Sequence, residues 1–194
     1  MNFKLVFKLA GKTLLVAAAC MVLPLLVTLL YREDPMPFLS AMGITALAGL
    51  LLSLLRADTR FNSREGFFSA GLIWLLVGFF GALPFQFSGY FPSFVDCLFE
   101  SISGFTTTGA SILTAVEPLP KGILFWRSFI HWLGGMGILV LTIALLPSLG
   151  ARTLHVMKAE SPGPIISKLV PKSSQSSKIL YGIYLVLTVL VILA

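Results

Sequence analysis

Thr106-Thr107-Thr108-Gly109 is the part of this sequence whose residue types and order suggest chemistry most directly. Consecutive threonines suit an extended backbone, and the glycine beside them supplies a conformation closed to other residues. Carbonyl oxygens along such a strand can replace the hydration shell of a cation. Alone, the tetrapeptide reads first as an ordinary polar loop, and only its neighbours reverse that reading. Before it, Ser93 to Gly104 places apolar residues at 94, 95, 98, 99 and 102, a helical spacing. Ser93 is a good N-cap and Gly104 a good stop. Twelve residues rise about 18 Å, half a bilayer. Such a half-helix entering from outside brings its C-terminal partial negative charge to mid-membrane, where it favours a cation. Irregular backbone at that depth is tolerated only when buried in protein or lining a cavity. Helix, half-helix, strand and helix in that order form a pore-lining unit, and one such unit cannot close a ring.

Four other groups bear on that loop. Asp96 and Glu100 lie four apart on another face of the half-helix; they could concentrate cations at an outer mouth, tie the helix to neighbours, or form a solvated face. Arg127 and His131 share one face of the apolar helix that follows. Intramembrane charge points to function by default. Arg127 also lies within snorkelling reach of the outer interface, so anchoring competes with bracing Asp96 or Glu100. A proton-sensing role for His131 ranks below packing. Gly134, Gly135 and Gly137 suit tight helix approach, not a phosphate loop, because no strand precedes them. Cys20 and Cys97 show neither disulfide nor metal-ligand spacing. No metalloprotease, hydrolase or paired-carboxylate motif is present, so no enzymatic activity is expected.

The elements that position these residues follow from composition. Of 194 residues, 57% are apolar and 11% charged, with mean hydropathy +0.95. That excludes an ordinary soluble domain. Apolar runs at 13–30, 38–55, 67–85 and 122–149 meet the roughly 17-residue minimum for a membrane helix. Pro24 kinks the first, which no cleavage site follows, so it is read as a retained helix rather than a signal peptide. A fifth run, 179–194, rises about 24 Å, which leads to the expectation that the chain is a fragment ending inside a helix. With the N-terminus inside, eleven basic and three acidic residues lie on the cytoplasmic side, net +8, and three basic and five acidic residues outside, net −2. The overall charge of +6 is therefore a topology signal and needs no nucleic-acid partner.

The run Leu98-Phe99-Glu100-Ser101-Ile102-Ser103-Gly104-Phe105-Thr106-Thr107-Thr108-Gly109-Ala110 resembles the first pore loop of the TrkH/TrkG/KtrB superfamily of bacterial potassium uptake proteins. Ser63-Arg64-Glu65-Gly66-Phe67, Gly81-Ala82-Leu83-Pro84-Phe85, Trp132-Leu133-Gly134-Gly135-Met136-Gly137-Ile138 and Ala159-Glu160-Ser161-Pro162-Gly163-Pro164 resemble the TrkH branch, and the similarity covers essentially the whole chain in order.

The resemblance implies an all-α integral membrane architecture of two leading helices and four tandem helix, pore-helix, helix repeats. This chain would supply the leading pair (1–60) and the first repeat (61–150: helix 67–85, pore helix 93–104, filter 105–111, helix 122–149). A cytoplasmic connector (151–178) and the start of the next helix (179–194) would follow. Thr106, Thr107, Thr108 and Gly109 would then form one filter quadrant for K+, with the carbonyls of Thr107 and Thr108 foremost and Asp96, Glu100 and Arg127 in support. The single glycine implies a simpler filter with moderate selectivity over sodium, and no organic cofactor is implied. The resemblance further implies a bacterial inner-membrane location, surrounding lipid, a homodimer of the full-length protein, and a cytoplasmic nucleotide-binding ring of the TrkA type, with 152–178 as its contact surface. A non-conducting assembly fragment and a homotetrameric channel remain alternative readings.

Overall fold

In the computed structural model, residues 3–55, 63–137 and 173–193 are described, and all their regular structure is helical. The chain divides into two units, Met1–Gly134 and Gly135–Ala194. In the first, α1 (Phe3–Cys20) and α2 (Val22–Leu30) meet at Met21. Pro24 has no N–H to offer the carbonyl four residues back. Met21 compensates: its N–H is shared between the carbonyls of Ala17 and Ala18, and its carbonyl accepts from Leu25. The first helix therefore begins ten residues before the apolar run at 13, and its basic N-terminal turns carry Lys4, Lys8 and Lys12.

α3 (Met36–Ser53) starts on Pro35 and Pro37, and the Asp34 carboxylate accepts the Met36 N–H at 3.0 Å. Gly11 and Gly49 let α1 and α3 cross at backbone distance; a Cβ on Gly11 would lie 2.5 Å from the Ser53 nitrogen. α4 (Ser63–Gly81) and α5 (Leu83–Ser88) replace the single helix expected over 67–85. Pro84 cannot donate to the preceding turn, so the helix breaks at Ala82 and resumes as α5. A left-handed Gly89, φ 71°, ends it.

α6 (Phe94–Phe105) is the short helix between the longer ones. It runs one residue past Gly104, the stop expected from sequence, because Gly104 keeps helical geometry and Thr107 takes the left-handed position instead. Residue 105, expected to open the extended filter, is thus the last helical residue. α7 is helical across residues 121–137; the remainder of the expected 122–149 helix lies outside the described residues, as does the connector up to 172. α8 (Ser173–Leu193), in the second unit, begins before the expected 179.

Among the described residues, three stretches are long and apolar enough to cross a membrane: Phe3–Leu30, Met36–Ser53 and Phe68–Ser88. Large apolar side chains such as Leu30, Leu47, Leu51 and Leu75 stay exposed on them, as hydrocarbon surroundings allow. The buried cluster of the first unit lies around the loop: Met21, Phe38, Phe85, Phe91, Cys97, Phe105, Ile123, Trp126 and Ile130 pack together. α1 lies along α3 and α4, α3 against α5, and α4 against α6.

Candidate functional site

At the entry of α6, the Ser93 hydroxyl accepts the Asp96 N–H at 3.3 Å and donates to the Asp96 carboxylate at 2.9 Å. Asp96 therefore belongs to a reciprocal N-cap. At the exit, the Thr108 N–H donates to the Ser103 carbonyl and the Thr107 N–H to the Gly104 carbonyl, both at 2.9 Å. This pair is a Schellman motif with Thr107, φ 56°, in the position that glycine usually takes. A β-branched residue there is strained. Gly109 then reverses the chain again at φ 74°.

Side chains lock the turn. The Thr106 hydroxyl donates to the Ile102 carbonyl at 2.8 Å and lies 2.8 Å from the Thr108 hydroxyl. The Ser103 hydroxyl donates to the Ala110 carbonyl at 2.6 Å. The extended strand expected over the threonines is therefore a turn at Thr106 and Thr107; among the described residues, the carbonyls of Thr106, Thr107, Thr108 and Gly109 accept no hydrogen bond, and these residues are exposed. Carbonyl oxygens without hydrogen-bond donors are neutral groups that can take a cation in a donor's place.

Glu100 holds the outgoing limb. One carboxylate oxygen accepts the Ile112 N–H at 2.9 Å and a short hydrogen bond from the Ser111 hydroxyl. The other accepts Arg127 Nε at 3.0 Å, with Glu100 1% exposed and Arg127 21%. A buried carboxylate needs its charge paired and its lone pairs filled, and these three donors do both. The structure thus brings Glu100 and Arg127 together and leaves Asp96 outside the cluster. His131 Nδ1 lies 2.8 Å from the Arg127 carbonyl.

α7 supports the loop from behind at three levels. Trp126, fully buried, donates its indole N–H to the Gly81 carbonyl at 3.0 Å, at the break between α4 and α5. Gly104 leaves room for Ile130, whose Cδ1 would lie 2.4 Å from an added Cβ. Gly134 rests on the backbone of Phe105; a Cβ there would stand 2.1 Å from the Phe105 carbonyl oxygen. Above them, Glu33 accepts the N–H groups of Lys121 and Gly122 at 2.6 and 2.9 Å.

Sequence reasoning missed Glu33, Ser103, Ser111 and Trp126. The Glu33 contact joins residues 88 and 89 apart, for which spacing gives no signal. Ser103 and Ser111 read as generic pore-loop residues, and a positive φ at Thr107 runs against residue preference.

The fold and loop define a class: an all-helical, multi-pass membrane protein in which a short helix and an irregular loop lie between longer helices. The family model described as TrkH, cation transport protein, matches residues 36–194, and the chain belongs to that family. It is 40% identical over its whole length to the Trk system potassium uptake protein TrkH of Halomonas elongata, of which it covers 41%. It is 39% identical, with the same coverage, to the TrkH protein of Escherichia coli K12. An uncharacterized cation transporter of Methanocaldococcus jannaschii is 34% identical over 88% of the chain and 35% of that relative. The chain spans about two fifths of the length of the TrkH relatives it matches.

Proposed function

We propose that this chain forms part of the pore-forming subunit of a potassium uptake system, and that the carbonyls of Thr106, Thr107, Thr108 and Gly109 coordinate dehydrated K+ as one quadrant of its filter. The observation that carries this reading is the set of four consecutive carbonyls without hydrogen-bond partners among the described residues, which begins in the Schellman turn and ends before the limb that Glu100 braces. Neutral carbonyl dipoles suit a large monovalent ion that must leave as readily as it enters. The names of the TrkH relatives agree with that cargo. The remaining quadrants would come from a longer protein of which these residues are a part. Arg127 serves as counter-ion to Glu100 behind the filter, and Asp96 starts the pore helix.

The distribution of basic residues supports a cytoplasmic N-terminus, and the family resemblance implies a bacterial inner-membrane location. The basic stretch 152–178 then faces the cytoplasm, where a TrkA-type nucleotide-binding ring would dock, and the full-length protein would work as a homodimer. The test uses cells lacking potassium uptake. The chain extended by its downstream reading frame should restore growth at low potassium, and the same protein carrying Gly109→Arg should not. Equal growth with and without the substitution, or no rescue by the extended protein, overturns the proposal.

A further inference from the structure

We infer that Glu33 is a positioning residue for the ion pathway: from the turn between α2 and α3 it fixes the first turn of α7, and through α7 the limb that leaves the filter. The inference rests on the proposed function for its transport consequence only. The N–H groups that open a helix have no intrahelical acceptor and carry the positive end of its dipole. Glu33 spends one carboxylate oxygen on each of the first two, at Lys121 and Gly122. The adjacent Asp34 is engaged elsewhere, on the Met36 N–H that opens α3, so neighbouring carboxylates start two different helices.

Two features fix where Glu33 stands. A Schellman turn ends α2, with the Glu33 N–H donating to the Thr28 carbonyl at 2.9 Å and the Arg32 N–H to the Leu29 carbonyl at 3.2 Å. It holds Arg32 at φ 57°. The start of α7 is also seated on the same helix end: a Cβ on Gly122 would lie 2.0 Å from the Thr28 hydroxyl oxygen and 3.3 Å from the Phe38 ring. Arg127 follows less than two turns later, about 8 Å along a rigid helix from Gly122. Its Nε pairs with Glu100, whose other oxygen holds the Ile112 N–H. The leading helices are therefore tied to the filter limb through three successive links, from Glu33 to α7, from Arg127 to Glu100 and from Glu100 to Ile112.

The experiment uses the longer protein that carries this chain, with Glu33→Ala, Glu33→Gln and Gly122→Ala. Amide hydrogen exchange is read at 121–124 and at Ile112, together with K+ uptake kinetics under sodium competition. For Glu33→Ala, exchange should quicken about tenfold at Lys121 and Gly122 and measurably at Ile112. The KM for K+ should rise about threefold or more per molecule in the membrane, with a smaller change in maximal rate. Glu33→Gln, which keeps one acceptor, should fall between, and Gly122→Ala should give the same pattern. If Glu33→Ala fails to accumulate, these two carry the test. Faster exchange confined to 121–124, with Ile112 and KM unchanged, overturns the inference and leaves Glu33 a helix cap. Absence of K+ uptake by the unmodified protein would sink the proposed function, while the exchange at Ile112 would still decide the positioning role.

Discussion

The turn after α2 and the turn after α6 share one backbone design: a crossed pair of N–H bonds closing over a left-handed residue that is not glycine, Arg32 at φ 57° and Thr107 at φ 56°. Where α5 ends, the same conformation falls to Gly89. Left-handed geometry costs a residue with a Cβ roughly 1–2 kcal/mol, so it persists where the surroundings hold it in place. After α2 the outgoing chain is pinned by the two bonds from Glu33 to α7. After α6 it is pinned by Ser103 on Ala110 and by Glu100 on Ser111 and Ile112. The uses differ. The first turn delivers a carboxylate to another helix, whereas the second ties the Thr106 and Thr108 hydroxyls together and leaves the carbonyls of residues 106–109 unpartnered among the described residues.

The pinning groups separate the two turns most strongly. Glu100→Ala leaves Arg127 without its partner and strips the Ile112 N–H, a loss of about 3–5 kcal/mol for a buried pair broken on one side. Glu33→Ala removes a half-buried cap worth about 1 kcal/mol. Thermal unfolding of the two variants in detergent should show this order, with K+ uptake abolished only by Glu100→Ala. Equal losses would mean that the two turns are held alike.

The glycine seats come next. Gly122 faces the hydroxyl of Thr28, a side chain that can rotate, whereas Gly134 faces the carbonyl of Phe105, which cannot move without moving the threonine loop that follows it. Gly134→Ala should therefore cost about 1–3 kcal/mol and reduce uptake further than Gly122→Ala, as measured by initial rates per molecule in the membrane.

The smallest effect is the most discriminating. Arg32→Gly and Thr107→Gly should each stabilise the protein by up to about 1 kcal/mol, because both remove a left-handed Cβ. Only Thr107→Gly should weaken discrimination against sodium, since it frees the turn that aims the carbonyls. Sodium inhibition of K+ uptake is the measurement, and an identical change in both variants would erase the difference between the turns.

Much of the helical order was legible in the sequence because long apolar runs and the Ser93 cap are local signals. The short helix before the threonines announced itself by spacing alone. Its exit did not: Gly104 looks like a terminator, yet it serves the close approach of Ile130, and the turn falls on a threonine held there by contacts from elsewhere in the chain. The partner of Glu100 was open between solvent, mouth and brace, since four-residue spacing gives the face of a helix and not what meets it. Glu33 lay beyond reach for the same reason, its partners being far along the chain and backbone groups at that.

The most direct measurement is K+ and Na+ flux through the longer protein reconstituted in vesicles, with glycine or arginine at position 109. Among the described residues, no heavy atom beyond the chain neighbours stands within 4 Å of a Cβ placed there, so Gly109→Arg adds bulk and charge to the open side of the loop at the backbone cost of a side chain at φ 74°. If Thr106 to Gly109 line the pathway, K+ flux falls to background while the protein still accumulates in the membrane. Unchanged K+ flux with an unchanged K+ to Na+ ratio would contradict it.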